Sequence, residues 1–254
     1  MNVAALPLGR SPIARCPAYR ADDPCLPCTL ASIGTAIGPV PAPRRRLQRG
    51  ETLFREGDAC RSLYGVRSGT FKAVVATPDA GEQVTGFQLS GELLGLDGLA
   101  EDRHASSAVA LEDSEVIVLA HGGPPREETR ELYAALPRLL ARELVRKQKL
   151  AVLLSCMSAE QRLASFLLNL SHRLHARGYS ATEFHLRMTR REIGSYLGVK
   201  LETVSRTFAD LQRRGLLRID GRSVVLPNRR ALVRLFDELP LRQPAALRET
   251  ALHA

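Results

Sequence analysis

The chain has 254 residues, 44% hydrophobic and 25% charged, enough for two domains with cores of their own. Its formal charge of +9 favours a polyanionic partner, and no run of 18 apolar residues exists to span a membrane. Pro7, Gly9, Arg10 and Pro12 break up the first 20 residues, which argues against a secretory signal and for a cytoplasmic protein.

Five cysteines in a reducing compartment point to free thiols, metal or redox chemistry rather than to disulfides. Three of them, Cys16, Cys25 and Cys28, fall in residues 1–40, a Pro-, Ala- and Gly-rich segment that promises little beyond a small helix at 29–37. Residues 39–46 read as an extended linker with a basic end.

Residues 41–124 form the next unit. Short β-prone runs at 52–54, 62–66, 70–75 and 83–87 are separated by Gly50, Gly57-Asp58, Ser68-Gly69 and the turn at 78–81. A G-E-L-L-G interruption at 91–95 precedes two more strands in 107–119. Many short strands with glycine turns predict a small antiparallel β-barrel of jelly-roll type.

Residues 125–157 change to a helical period. Leu132, Leu136, Leu139, Leu140, Leu144, Leu150, Leu153, Leu154 and Met157 make a wide apolar stripe, with Arg138, Arg142, Arg146, Lys147 and Lys149 on much of the other side. Pro137 is expected in the first turn of this helix, and Cys156 as a small buried residue among the leucines. The stripe covers a core or pairs with its symmetry mate, and the a/d-like spacing favours pairing.

A second helix at 159–177, stopped by Gly178, opens the last unit, 158–240. Within it, residues 189–214 divide into helix, turn and helix. Thr189 and Glu192 have the spacing of a capping box, Gly198 permits the turn, and Gly215 ends the second helix. In the second helix Leu201, Val204, Phe208 and Leu211 are expected to face a core. Glu202, Ser205, Arg206 and Ala209 fall opposite, on a narrow polar face suited to the DNA major groove. Two β-prone runs joined by Asp220-Gly221 follow as a wing. Positions 187–230 hold eleven Lys or Arg against four Asp or Glu, a surplus of seven and most of the chain's excess charge. Such a concentrated patch is the footprint of phosphate binding. The stretch at 241–254 reads as a tail.

A β-barrel, a long helix and a winged helix-turn-helix, in this order, resemble the CRP/FNR family of bacterial transcription regulators. The likeness rests on G-E-T-L-F-R-E-G-D at 50–58, S-L-Y-G-V-R-S-G-T at 62–70, E-Q-V-T-G-F at 82–87 and G-E-L-L-G at 91–95. Further on it rests on A-E-Q-R-L-A-S-F-L at 159–167, M-T-R-R-E-I-G-S-Y-L-G at 188–198 and L-E-T-V-S-R at 201–206. The E-x-x-S-R form of the last motif is similar to the FNR branch, whose members read inverted repeats with TTGAT-like half-sites. The resemblance implies an α+β chain with a cyclic-nucleotide-binding-like barrel, a dimerisation helix and a DNA-binding domain. It implies that Glu202, Ser205 and Arg206 read bases, with Thr189, Arg190, Lys200 and Thr203 as further DNA contacts. It also implies a homodimer on double-stranded DNA and contact with RNA polymerase near residues 78–82.

The cyclic-AMP-binding branch uses a Gly-Glu pair and an Arg-Ser pair. Gly91 and Glu92 match the first, but His104 and Ala105 stand at the second, so the cyclic phosphate would lose its guanidinium and cyclic AMP is not expected. Gly91-Glu92 is then a turn kept for the fold. The FNR branch carries a [4Fe-4S] cluster on three N-terminal cysteines and one barrel cysteine. Cys16, Cys25, Cys28 and Cys60 have that gross distribution, although two of the family's ligand positions fall near Tyr19 and near Ile117, where this chain has no cysteine. The residues leave two readings open: a cluster on these four, or a regulator without one that responds to nitric oxide through haem or to another small effector. No enzyme is expected, because His121, His172 and His175 have no companion motif and no phosphate-cradling loop occurs.

Overall fold

The computed structural model describes residues 43–78, 81–120 and 130–235. Cys16, Cys25, Cys28, the helix expected at 29–37 and the tail from 241 lie outside the described residues. Among the described residues no helix is long and apolar enough to cross a membrane.

The N-terminal unit holds eight strands: β1 (Arg44–Leu47), β2 (Thr52–Phe54), β3 (Ser62–Ser68), β4 (Thr70–Thr77), β5 (Gly81–Leu89), β6 (Leu93–Leu94), β7 (Ser107–Ala110) and β8 (Ser114–Ala120). They make two antiparallel sheets, β1-β8-β3-β6 and β2-β7-β4-β5, the two-sheet form of the expected jelly roll, with no closed barrel among the described residues. Side chains from both sheets, among them Leu53, Phe54, Val66, Phe71, Ala108 and Val116, meet in one core. The basic end of the expected linker is itself a strand, with Arg44 to Leu47 registered against Ile117 to Ser114. Gly69 turns β3 into β4 at a φ of 93°, where a Cβ would lie 2.0 Å from Ser114 Oγ; no other residue fits there.

Helix α1 (Arg130–Cys156) carries Pro137 inside it, not in its first turn. The ring removes one backbone hydrogen bond. The helix runs on because Tyr133, Leu136 and Leu139 on either side pack against Leu63, Leu93 and Leu119 of the sheets. Cys156 is exposed rather than buried, at the outward side of the last turn. Helix α2 (Ala159–His175) starts from a Ser158–Gln161 capping box and buries Leu163, Phe166, Leu167 and Leu170.

The C-terminal unit continues with β9 (Glu183–His185), α3 (Arg190–Leu197), α4 (Leu201–Arg213), β10 (Arg218–Asp220), β11 (Ser223–Val225) and α5 (Arg229–Arg234). The wing is a three-stranded sheet, β10-β11-β9, since β9 pairs with β11 in addition to the predicted hairpin.

The two units share apolar core. Val74, Val84, Phe87 and Leu89 of the β4–β5 sheet join the cluster built by α2, α3 and α4. The rings of Phe87, Phe166 and Tyr196 meet with centroids 5.3 to 5.9 Å apart. Polar contacts fix the register of α3 on β5. Ser195 Oγ accepts from the Val84 amide at 2.8 Å, Ser195 O accepts from Gln83, and Lys72 Nζ stands 3.1 Å from Glu192.

Candidate nucleic-acid interface

The turn between α3 and α4 is set by local chemistry. Thr189 Oγ1 accepts from the Glu192 amide at 3.2 Å, while Glu192 Oε2 accepts from the Thr189 amide at 2.7 Å. Gly198 caps α3 at φ 63°, and the Val199 amide returns to Gly194 O at 2.9 Å. That return passes so close that a Cβ on Gly194 would sit 2.6 Å from Val199 O. The angle between the two helices therefore depends on a glycine inside α3.

Helix α4 has the two faces its sequence predicts, with one correction. Val204, Phe208 and Leu211 are buried, and Thr207 joins them by returning its hydroxyl to Thr203 O at 2.8 Å. Leu201 is 37% exposed, not a core residue, because it occupies the first position of the helix, just past the turn. Glu202 and Arg206 are exposed and Ser205 half-buried, on one face. The side chains of Glu202 and Arg206 make no hydrogen bond or ion pair among the described residues. Lys200 is exposed at the N-cap, and Thr203 is half-buried beside it. Thr189 is occupied by the capping box, and Arg190 lays its guanidinium over the Phe208 ring at 5.3 Å, so both also brace the motif. Arg218 and Arg222 are exposed on the wing.

Of Cys16, Cys25, Cys28 and Cys60, only Cys60 lies among the described residues. Cys60 is buried in the loop after β2, with Sγ 3.8 Å from Gly95 O and 3.9 Å from Ser62 O. Burial, then Asp97 and Asp102, push its thiol pKa up, which disfavours the thiolate that iron requires. Among the described residues no group of three or more His, Cys, Asp or Glu is placed to hold a metal ion. Ile117 lies in β8, paired with Gly65 and Arg44. His104 is buried against Phe54, ring centroids 3.7 Å apart.

Sequence reasoning missed the most heavily charged buried site. Glu92, expected to serve only a turn, receives three arginines, one from α1, one from α2 and one from the turn just after α2. Arg173 Nη2 of α2 lies 2.6 Å from Oε2, Arg177 Nη2 2.7 Å from Oε1, and Arg146 of α1 3.7 Å from Oε2. Burial opposes the Glu92 charge, but the three guanidiniums overcome it and hold its pKa at about 2. Burial likewise opposes the charge on Arg173, and Glu92 more than offsets it, so its pKa rises. Arg173 also donates to Phe87 O at 2.6 Å. The available sequence signal was the i,i+4 spacing of Arg173 and Arg177, which says nothing about a partner 81 residues away.

Comparisons with known proteins agree with this architecture. Residues 44–123 match the cyclic nucleotide-binding domain and residues 161–235 the Crp-like helix-turn-helix domain. The transcriptional regulatory protein Btr of Bordetella pertussis is 44% identical over 227 residues, covering 84% of this chain and 93% of that protein. The fumarate and nitrate reduction regulatory protein of Escherichia coli is 41% identical over 199 residues, covering 76% and 78%. The structure of FixK2 from Bradyrhizobium japonicum superposes with a TM-score of 0.67 at 30% identity, covering 76% of this chain and 96% of that one. With both domain types in the family's order, and α4 offering its polar face outward, the chain belongs to the CRP/FNR family of transcription regulators and carries that family's DNA-binding helix-turn-helix.

Proposed function

We propose that the protein binds, as a homodimer, an inverted DNA repeat with TTGAT-like half-sites, reading bases through Glu202, Ser205 and Arg206. The observation that carries this reading is the outward placement of Glu202 and Arg206, unpaired among the described residues, on a helix that buries Val204, Phe208 and Leu211 on its other face. An Arg held there can span guanine O6 and N7, a carboxylate can accept from cytosine N4, and Ser205 can serve either base. Arg213, Arg218 and Arg222 then supply phosphate contacts, and RNA polymerase contact near residues 78–82 belongs to the same proposal. Gel-shift titration on such a palindrome tests it. Affinity should fall when the half-sites move off one helical turn, about 34 Å apart. Equal affinity for a scrambled duplex would sink it.

The dimer has its own support. Helix α1 turns Leu136, Leu139 and Leu153 toward the rest of the chain, yet leaves Leu140, Leu144, Val145 and Val152 exposed, Leu144 to 60%. Spacings of four, seven and eight along one helix are those of a pairing seam. Leu144→Arg should give a monomer by light scattering and weaken operator binding; a variant that still scatters as a dimer would remove α1 as the interface.

For the signal, a [4Fe-4S] cluster on Cys16, Cys25, Cys28 and Cys60 is the finer proposal, and its support is the similarity to regulators named for fumarate and nitrate reduction. The burial of Cys60 favours the alternative, a regulator without a cluster that answers nitric oxide through haem or another small effector. Anaerobic purification decides between them. A brown protein whose iron and colour are lost in Cys60→Ala supports the four-cysteine set, and an iron-free, colourless one supports the alternative.

A further inference from the structure

Helices α1 and α3 both end without a basic residue in their last turn, so neither supplies a cation to its own terminal carbonyls. One side chain from a third helix serves both. Arg162, half-buried in the first turn of α2, donates from Nη2 to Leu154 O at 2.7 Å and from Nε to Met157 O at 2.9 Å, at the end of α1 and just past it. From Nη1 it donates to Leu197 O, the last residue of α3, at 3.0 Å. The Ser158 amide, next in line for Leu154 O had α1 continued, turns instead to Gln161 Oε1 at 3.1 Å in the capping box of α2. Gly198, whose positive φ turns the chain toward α4, lies beside the guanidinium; a Cβ there would stand 3.5 Å from Nη1.

We propose that Arg162 is a positioning residue for operator recognition: it fixes the direction of α4 relative to α1, and thereby the separation of the two recognition helices in the dimer. The proposal rests on the reading of α1 as the pairing helix and α4 as the base-reading one. Only Met157 and Ser158 join α1 to α2, and so short a joint is a hinge unless something braces it. A planar fork with donors in fixed directions holds three carbonyls from the ends of two helices in one geometry, which a flexible ammonium does not. Glu192 and Ser195 tie α3 to the β4–β5 sheet, whereas Arg162 ties its last residue, the end from which α4 departs, to α1. All three Arg162 bonds go to backbone carbonyls, so base reading within one half-site is left to α4 itself.

Gel-shift titration of the full chain on duplexes carrying both half-sites at different separations is the test, with a duplex carrying one half-site as reference. Wild-type protein should lose affinity when the half-sites are moved apart by about two base pairs, roughly 7 Å along the duplex. In Arg162→Gln that penalty should shrink roughly tenfold, because the best-spaced duplex binds less tightly and the misplaced one no worse. Binding to the single half-site should be unchanged, which a general loss of fold would not allow. Arg162→Lys keeps the charge without the fork; it should share the narrowed preference and stays readable if the glutamine variant folds poorly. Either variant keeping the full penalty would overturn the proposal and leave the sheet contacts to orient α4, as would an equal loss on the single half-site in both. Wild-type protein that binds every separation equally would instead overturn the palindrome reading, and the role of Arg162 with it.

Discussion

Arg206→Ala is expected to abolish discrimination between the palindrome and random DNA while leaving the fold intact. Arg206 is exposed and unpaired among the described residues, so its removal empties no core and strands no partner. A bidentate Arg–guanine contact is worth about 1–3 kcal/mol of discrimination, and two subunits double it to about 2–6 kcal/mol, roughly thirtyfold to ten-thousandfold in affinity. Arg222→Ala on the wing provides the contrast. It should weaken binding to all sequences alike and lower the salt dependence by about one counterion for each subunit. Titrations at several salt concentrations separate the two. If Arg206→Ala behaved as Arg222→Ala does, Arg206 would be a phosphate contact and base reading would lie elsewhere.

The second large effect concerns the joint between the units. Glu92→Ala should destabilise the protein by about 3–5 kcal/mol, since it leaves Arg173 and Arg177, only 14% and 12% exposed, buried without their carboxylate. The acid limb of the stability curve carries a separate signature. The Glu92 pKa falls from 4.5 in the unfolded chain to about 2 in the fold. Its contribution is thus complete above pH 4.5 and is lost as the pH falls toward 2, a change of about 3 kcal/mol. Urea denaturation across that range should show the full loss in the wild type and a shallower acid limb in Glu92→Gln, where Glu51, Glu115 and Glu192 still titrate but position 92 does not. Parallel acid limbs in the two proteins would show that the arginines find other counter-ions.

Much of this protein was determined by its sequence alone, and the reason is locality. The Thr189–Glu192 box, Gly198, the apolar period of Val204, Phe208 and Leu211, and the exposed Glu202 and Arg206 all act within a few residues of one another. Such features depend on helix geometry and capping, which a short segment fixes by itself. The strand pattern with its glycine turns belongs to the same class. Long-range facts needed the tertiary structure. Whether the strands close into a barrel or pair as two sheets depends on which edges meet, and Arg44 finds Ile117 across 73 positions of chain. Pro137 stays inside a helix, and Cys156 lies exposed, because of what α1 packs against, which its own residues do not state. Above all, Glu92 looks like any turn acid in the sequence. Only folding brings Arg146, Arg173 and Arg177 around it, because a buried charge is tolerated where partners from distant segments converge.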